Sequence, residues 1–216
     1  MAHPYWPLFD LSIRTPRVEL RSPDDELVCR VVDVARKGIH DPGSMPFGVP
    51  WTDAESPEFE RNSLKHYWKS RADHNPDSWH LPFAVLIDGE PVGVQGVHAD
   101  NFAKTRVAET GSWLGRAFQG RGIGQEMRAA VLHFAFAGLG AQRCTSGAWH
   151  DNGPSLGVSR ALGYVENGDD IVLRRGSPDR QIRLLLTRDE WHSRRRDDIE
   201  ISGLDACMEM LISPAS

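Results

Sequence analysis

Three glycines spaced two apart, Gly120, Gly122 and Gly124, stand where a strand-like stretch runs into an amphipathic helix. The surrounding residues, Ala108 to Gly124, read AETGSWLGRAFQGRGIG. A helix N-terminus carries unpaired backbone N–H groups and partial positive charge, so the turn over Gln119, Gly120, Arg121, Gly122, Ile123 and Gly124 suits an anion such as a phosphate. Glycine lets the main chain come close to it. A P-loop would need GxxxxGK followed by Ser or Thr, which the chain lacks. A dinucleotide fingerprint would need glycine where Gln125 stands, and would lie near the first strand and not past mid-chain. Alone, the glycine pattern also fits a tight turn that holds no ligand.

The elements around this turn form a mixed α/β pattern. Arg17 to Ser22 reads as a first strand, and Pro23-Asp24-Asp25 starts a helix with Leu27, Val31, Val32, Val34 and Ala35 on one side. Gly38 to Thr52, with three prolines and two aromatics, reads as a long ordered loop. A second helix runs from about Pro57 to Ala72, with Phe59, Leu64, Tyr67 and Trp68 as its buried stripe. Leu81 to Ile87 and Pro91 to Val97 form a hairpin across Asp88-Gly89-Glu90. Val107 to Leu114 is the strand before the glycine turn, and Ile123, Met127, Ala130, Val131 and Phe134 give the next helix its packed face. Strand Cys144 to Trp149, helix Pro154 to Leu162 ended by Gly163, and strands Ile171 to Arg174 and Gln181 to Thr187 follow. The tail after Ile199 carries no clear signal.

Composition narrows the classes of function. A chain of 216 residues supports one well-cored domain, here 1–216 with its core at about 14–195. The net charge of -5 argues against a nucleic-acid partner, and the short run Arg194-Arg195-Arg196 reads as a solvated helix end. No apolar run approaches the ~20 residues that span a bilayer, and the N-terminus lacks a signal pattern, so a cytoplasmic protein without a membrane partner is expected. Cys29, Cys144 and Cys207 are odd in number and widely spaced, which suits neither a disulfide framework nor a zinc site, and no metal is expected.

Three motifs in order, AExGxWL at Ala108 to Leu114, QGxG at Gln119 to Gly122 and NxxS at Asn152 to Ser155, with Gly163-Tyr164 closing the next helix, resemble the GNAT superfamily of N-acyltransferases. The similarity follows the element order over nearly the whole chain and is nearest to the branch that acylates ribosomal-protein N-termini. Outside the motifs, Trp6 to Leu11, His40-Asp41-Pro42, Met45-Pro46-Phe47 and Pro50-Trp51-Thr52 resemble a mycobacterial subgroup of succinyl-CoA transferases.

The resemblance implies a central, mostly antiparallel sheet, splayed at a coenzyme A site and flanked by helices. It implies acyl-CoA as co-substrate, carrying succinyl or acetyl, with the pyrophosphate on Gln119 to Gly124 and the pantetheine along Trp113 and Leu114. Asn152 and Ser155 would complete the cofactor contacts. An alkyl amine is mostly protonated near pH 7, so the acceptor needs a base, and Glu109 matches that family position. A backbone N–H near Trp113 or Leu114 would meet the oxyanion. Many relatives place a tyrosine four residues before the glycine of the closing pair. Here Ser159 stands there, and Ser155 becomes the candidate donor to the departing sulfur. His40, Trp51 and His98 are the acceptor-cleft candidates, each also readable as structural. The acceptor is an amine on a lysine, a protein N-terminus or a small molecule. The late strands and the aromatic N-terminal segment offer apolar surface for a dimer or tetramer. The rival of another class is an acyl-CoA-binding sensor that has lost catalysis.

Overall fold

The structure of the protein, a computed structural model, describes residues 3–212. Its strands are β1 (Ser12–Arg14), β2 (Glu19–Arg21), β3 (Ser78–Ile87), β4 (Glu90–Asp100), β5 (Val107–Leu114), β6 (Arg143–Trp149), β7 (Val165–Arg174), β8 (Ser177–Thr187) and β9 (Glu200–Ser202). The helices are α1 (Asp25–Arg36), α2 (Glu58–Ala72), α3 (Phe102–Thr105), α4 (Ile123–His133), α5 (Gly153–Ala161), α6 (Arg188–Arg194) and α7 (Met208–Leu211). Together the strands make one nine-stranded sheet in the order β7-β8-β6-β5-β4-β3-β2-β1-β9.

Turn chemistry fixes the centre. Asp88 and Gly89 take φ of 51° and 78°, the doubly positive turn that matches strand twist, and they fold β3 against β4. β5 adds antiparallel to β4. The chain then crosses through α4 and returns as β6, the single parallel neighbour pair of the sheet. That pairing covers only Val107 with Arg143, Ala108 with Cys144 and Glu109 with Thr145. Beyond Glu109, β5 stays paired with β4 while β6 follows β8, so the two strands part like a V.

Each face of the sheet buries its own apolar cluster. α4 covers one face, where Phe83, Val131, Phe134 and Leu184 are fully buried. α1 and α2 cover the other through Val28, Val31, Phe59 and Tyr67 over Ala84, Leu86 and Val94. The long loop after α1 stays irregular apart from a short 3-10 turn at Trp51–Asp53.

Several expectations need correction. The expected strand Arg17 to Ser22 forms as β2 over Glu19–Arg21, a further strand, β1, precedes it, and the tail after Ile199 supplies β9, which closes the sheet edge against β1. Trp68 is 48% exposed, so it leaves the buried stripe of α2 and reaches Asp25 with its indole N–H. β3, β4, β7 and β8 run longer than the sequence suggested because backbone pairing carries them through polar residues.

Candidate active site

The N-terminus of α4 is built without a side-chain cap. Asp24 caps α1 and Asn152 caps α5 by accepting a backbone N–H, but the capping position of α4 is Gly122 at φ 77°, which has nothing to offer its helix. Gly120 is also left-handed, at φ 73°. These two glycines allow a turn that leaves the first N–H groups of α4 facing outward. Gly124 serves packing: a Cβ there would lie 3.5 Å from Val158 of α5.

This end is held from below. Glu126, 4% exposed in the first turn of α4, accepts from the Thr15 hydroxyl (2.6 Å), the Arg17 backbone N–H (3.2 Å) and Arg17 Nε (2.5 Å). Burial raises its pKa, but those hydrogen bonds and the Arg17 charge outweigh it and hold the carboxyl below its ordinary value. Arg17 also donates to the Arg121 carbonyl at 3.3 Å, tying the glycine turn to the β1–β2 connection.

Where β5 and β6 part, side chains fill the gap. Ser146 donates its hydroxyl to the Thr110 carbonyl at 2.8 Å, and the Thr110 hydroxyl lies 2.9 Å from the Tyr164 hydroxyl. Arg128, 3% exposed, reaches in from α4 and donates to Gln95 Oε1 (3.3 Å), Ser146 Oγ (3.3 Å) and Ser112 Oγ (2.9 Å).

Above the gap lies a cleft of about 370 Å³. Leu114, Gly124, Met127, Arg128, Asn152 and Ser155 line it, with the 39–47 loop as its roof. Asn152 Oδ1 accepts the Ser155 N–H at 3.2 Å, which leaves the Ser155 hydroxyl in the cleft wall. Ser159 is fully buried one turn on, its hydroxyl without a hydrogen-bond partner, so it is sealed from the cleft.

The opposite face of β5 is different. Glu109 is exposed, and strand register sets it in a cross-strand row with His98 and His80. His98 Nε2 lies 3.6 Å from Glu109 Oε2. His66 of α2 stacks edge-on against His80 with centroids 5.5 Å apart. Burial first, then the neighbouring imidazoles of His66 and His98, push the pKa of His80 down to about 4. Between Glu109 and Trp113 this face is floored by Gly111, where a Cβ would meet no atom within 4 Å.

A model of the acetyltransferase (GNAT) domain matches residues 17–165, well over half of the chain. The chain belongs to the GNAT acetyltransferase family. Solved structures share its fold: Mycobacterium smegmatis RimJ in complex with CoA-disulfide has 20% identity over 85% of this chain and 90% of its own, with a TM-score of 0.67. RimL, a ribosomal L7/L12 alpha-N-protein acetyltransferase in complex with coenzyme A, has 18% identity over 82% and 97%, with a TM-score of 0.65. The ribosomal-protein-S5-alanine acetyltransferase of Vibrio fischeri has 16% identity over 83% and 98%, with a TM-score of 0.64. The protein is thus an N-acyltransferase using acyl-CoA and an amine acceptor, on the mixed, mostly antiparallel sheet of the GNAT fold.

Within this GNAT domain the sequence-selected residues divide into groups. Trp113, Leu114, Gln119, Gly124, Asn152, Ser155 and His40 line the cleft. Gly120, Arg121 and Gly122 form the turn at the α4 end, while the Ile123 side chain is 5% exposed and belongs to the core. Gln119 spends its side-chain N–H donors on the Ile39 carbonyl (2.7 Å) and the Leu114 carbonyl (2.8 Å), so the donor it has left for an anion is its backbone N–H. Both ring nitrogens of His40 are engaged, one with the Asp41 carbonyl (2.8 Å) and one with the Thr52 hydroxyl (2.7 Å). Trp51 stacks among Phe47, Phe59 and Trp113 and acts as a loop anchor. Glu109 and His98 meet on the other face of the sheet. Sequence reasoning missed Arg17, Glu126 and Arg128. For Arg128 a signal exists, since it shares a helical row with Leu132 and Ala135, both buried.

No helix among the described residues is long and apolar enough to cross a membrane. Among the same residues no cluster of His, Cys, Asp or Glu is arranged for a metal ion.

Proposed function

We propose that the protein transfers a succinyl or acetyl group from coenzyme A directly to a primary amine through a tetrahedral intermediate. The observation that carries this reading is the uncapped N-terminus of α4 beside the one place where neighbouring strands part. The first supplies donors for the pyrophosphate, and the second supplies unpaired strand edge for the pantetheine amides.

Glu109 takes the proton from the acceptor ammonium, with the His98 imidazole 3.6 Å from its carboxylate. The neutral amine then attacks the thioester carbon. The Trp113 carbonyl crowds Gly93 of β4, so strand alternation turns the Leu114 N–H toward the open side, where it can meet the oxyanion. The Ser155 hydroxyl orients the departing sulfur. A thiol has a pKa of about 8.5, so a hydrogen bond suffices there. Direct transfer is supported by the cysteines: burial pushes the Cys144 thiol up, Cys207 is raised to about 11 by burial and Asp10, and Cys29 lies on α1 outside the cleft lining. The acceptor is a lysine, a protein N-terminus or a small amine, approaching over Gly111. Exposed Ile171 and Leu173 on β7 favour self-association, which light scattering would test.

The test measures acyl-CoA binding by calorimetry and thiol release with a panel of amines. Wild-type protein should bind and turn over, and Glu109→Gln should lose at least about 100-fold in kcat while keeping acyl-CoA affinity. Binding without turnover for any amine would favour the sensor. No binding to any coenzyme A species would sink the reading.

A further inference from the structure

The cleft lacks an acid. Among the described residues its lining holds no tyrosine, cysteine or lysine. Both ring nitrogens of His40 are engaged, Asp41 accepts from the Gly43 N–H, and Asp151 accepts from Arg174. Ser155 offers only a hydroxyl hydrogen bond. What the lining does hold is a cation without a counter-charge. Arg128 is 3% exposed, its partners Gln95, Ser146 and Ser112 are neutral, and among the described residues it forms no ion pair. The titratable groups beside it are the Tyr164 phenol and the Cys144 thiol, and burial pushes both up, so both stay neutral. Removing a guanidinium from water without a counter-charge is costly, and two of its bonds are long, at 3.3 Å. The other arginine lining the cleft, Arg174, is already paired with Asp151 and Asp179.

We propose that Arg128 is a further catalytic residue of the transfer, its guanidinium meeting the negative charge that gathers on the departing coenzyme A sulfur. This rests on the acyl-CoA reading above. As the tetrahedral intermediate collapses, the C–S bond breaks with its electron pair on sulfur. Glu109 already holds one ammonium proton, and the nitrogen sheds its second to water over the open Gly111 side. Sulfur leaves as a thiolate and takes its proton from water after release. Arg128 is placed for this charge: Nη2 donates to Ser112 of β5 and Nη1 to Ser146 of β6, so the guanidinium spans the two banks of the V. It lies six residues past Gly122, about 9 Å further along α4 at ~1.5 Å per residue, which sets it apart from the donors for the pyrophosphate. A thioester is neutral and leaves the guanidinium unanswered, whereas a thiolate answers it. The interaction therefore belongs to the transition state and acts on kcat, with little effect on acyl-CoA affinity.

The test compares coenzyme A with desulfo-coenzyme A, which keeps every phosphate and lacks the thiol, by calorimetry on the full chain from about pH 7 to about pH 9.5. Both ligands meet the same phosphate donors and the same His40, Asp41, Asp151 and Arg174, so the ratio of their affinities reports on the thiol. In wild type the ratio should rise at least about fivefold over that range in favour of coenzyme A, since a thiol whose pKa falls by about one unit on binding gains up to about tenfold as it ionises. R128Q, or R128M if R128Q does not fold, should flatten the ratio and lower kcat at least about 100-fold while acyl-CoA affinity holds within about threefold. S146A opens the same network but keeps the charge, so its ratio should still rise. A flat ratio in wild type, a rise that survives removal of the guanidinium, or a loss in S146A equal to that in R128Q overturns the assignment and leaves acyl transfer intact. Absence of binding to every coenzyme A species overturns both.

Discussion

The two faces of β5 are made of the same eight residues and do opposite things. On the α4 side Thr110 and Ser112 join a buried, fully hydrogen-bonded network around a fixed charge. On the other side Glu109 and Gly111 border an open surface in the cross-strand row of His98 and His80. A donor that must be held in one pose meets rigid dipoles, which need no reorganisation. An acceptor that must lose a proton meets exposed groups in exchange with water. In the proposed reaction, one strand thus separates donor binding from proton transfer by its alternation.

Acid should separate the faces most strongly. Between pH 6.5 and about 4 the unfolded chain protonates the imidazole of His80 while the folded chain does not, so stability is complete above that range and falls as pH drops through it. The loss at the limit is up to about 3 kcal/mol, and His80→Asn should flatten that limb in urea midpoints measured across pH. An unchanged acid limb in that variant would break the contrast. The α4 side has its own, lower window. The depressed pKa of Glu126 contributes stability that is complete above about 4.5, its ordinary value, and lost as pH falls through the lower folded value. Glu126→Gln should cost about 2 kcal/mol at pH 7 by unpairing Arg17 and Thr15, and should weaken binding at the glycine turn. The smallest expected effect is the sharpest. Gly111→Ala adds a methyl group over open floor, so melting temperature and acyl-CoA affinity should hold while KM for the amine rises about tenfold. A change in donor affinity instead would mean that the two sides are not separate.

The centre of this arrangement was legible in the residues. β5 has the bounds that its alternation and the glycine turn implied, and Gly163, at φ 92°, follows α5 as its sequence indicated. Those signals are local, so neighbouring residues carry them. β1 and β9 were not legible, because three-residue strands owe their existence to partners far away in the chain, Ser12 to Ser202 among them. The row His80, His98, Glu109 needs the register of three strands. Arg128 shares a helical row with buried Leu132 and Ala135, but its burial as a cation needs the parting of β5 and β6, which leaves a polar hole beneath α4.

The loop that roofs the cleft is fastened on both banks of the V. From the β5 side Gln119 holds the Ile39 carbonyl. From the β7–β8 turn Arg174 holds the Met45 carbonyl at 2.7 Å, and Arg175 holds the Pro42 carbonyl and Asp53. A strap tied to both jaws of a clamp limits how far they can open. The width of the gap and the shape of the roof are then a single mechanical variable, and a thioester that wedges the strands apart draws the 39–53 strap taut across itself. In the proposed reaction coenzyme A threads under that strap from the α4 end, and the Gly111 side is the free doorway for an amine too large to thread.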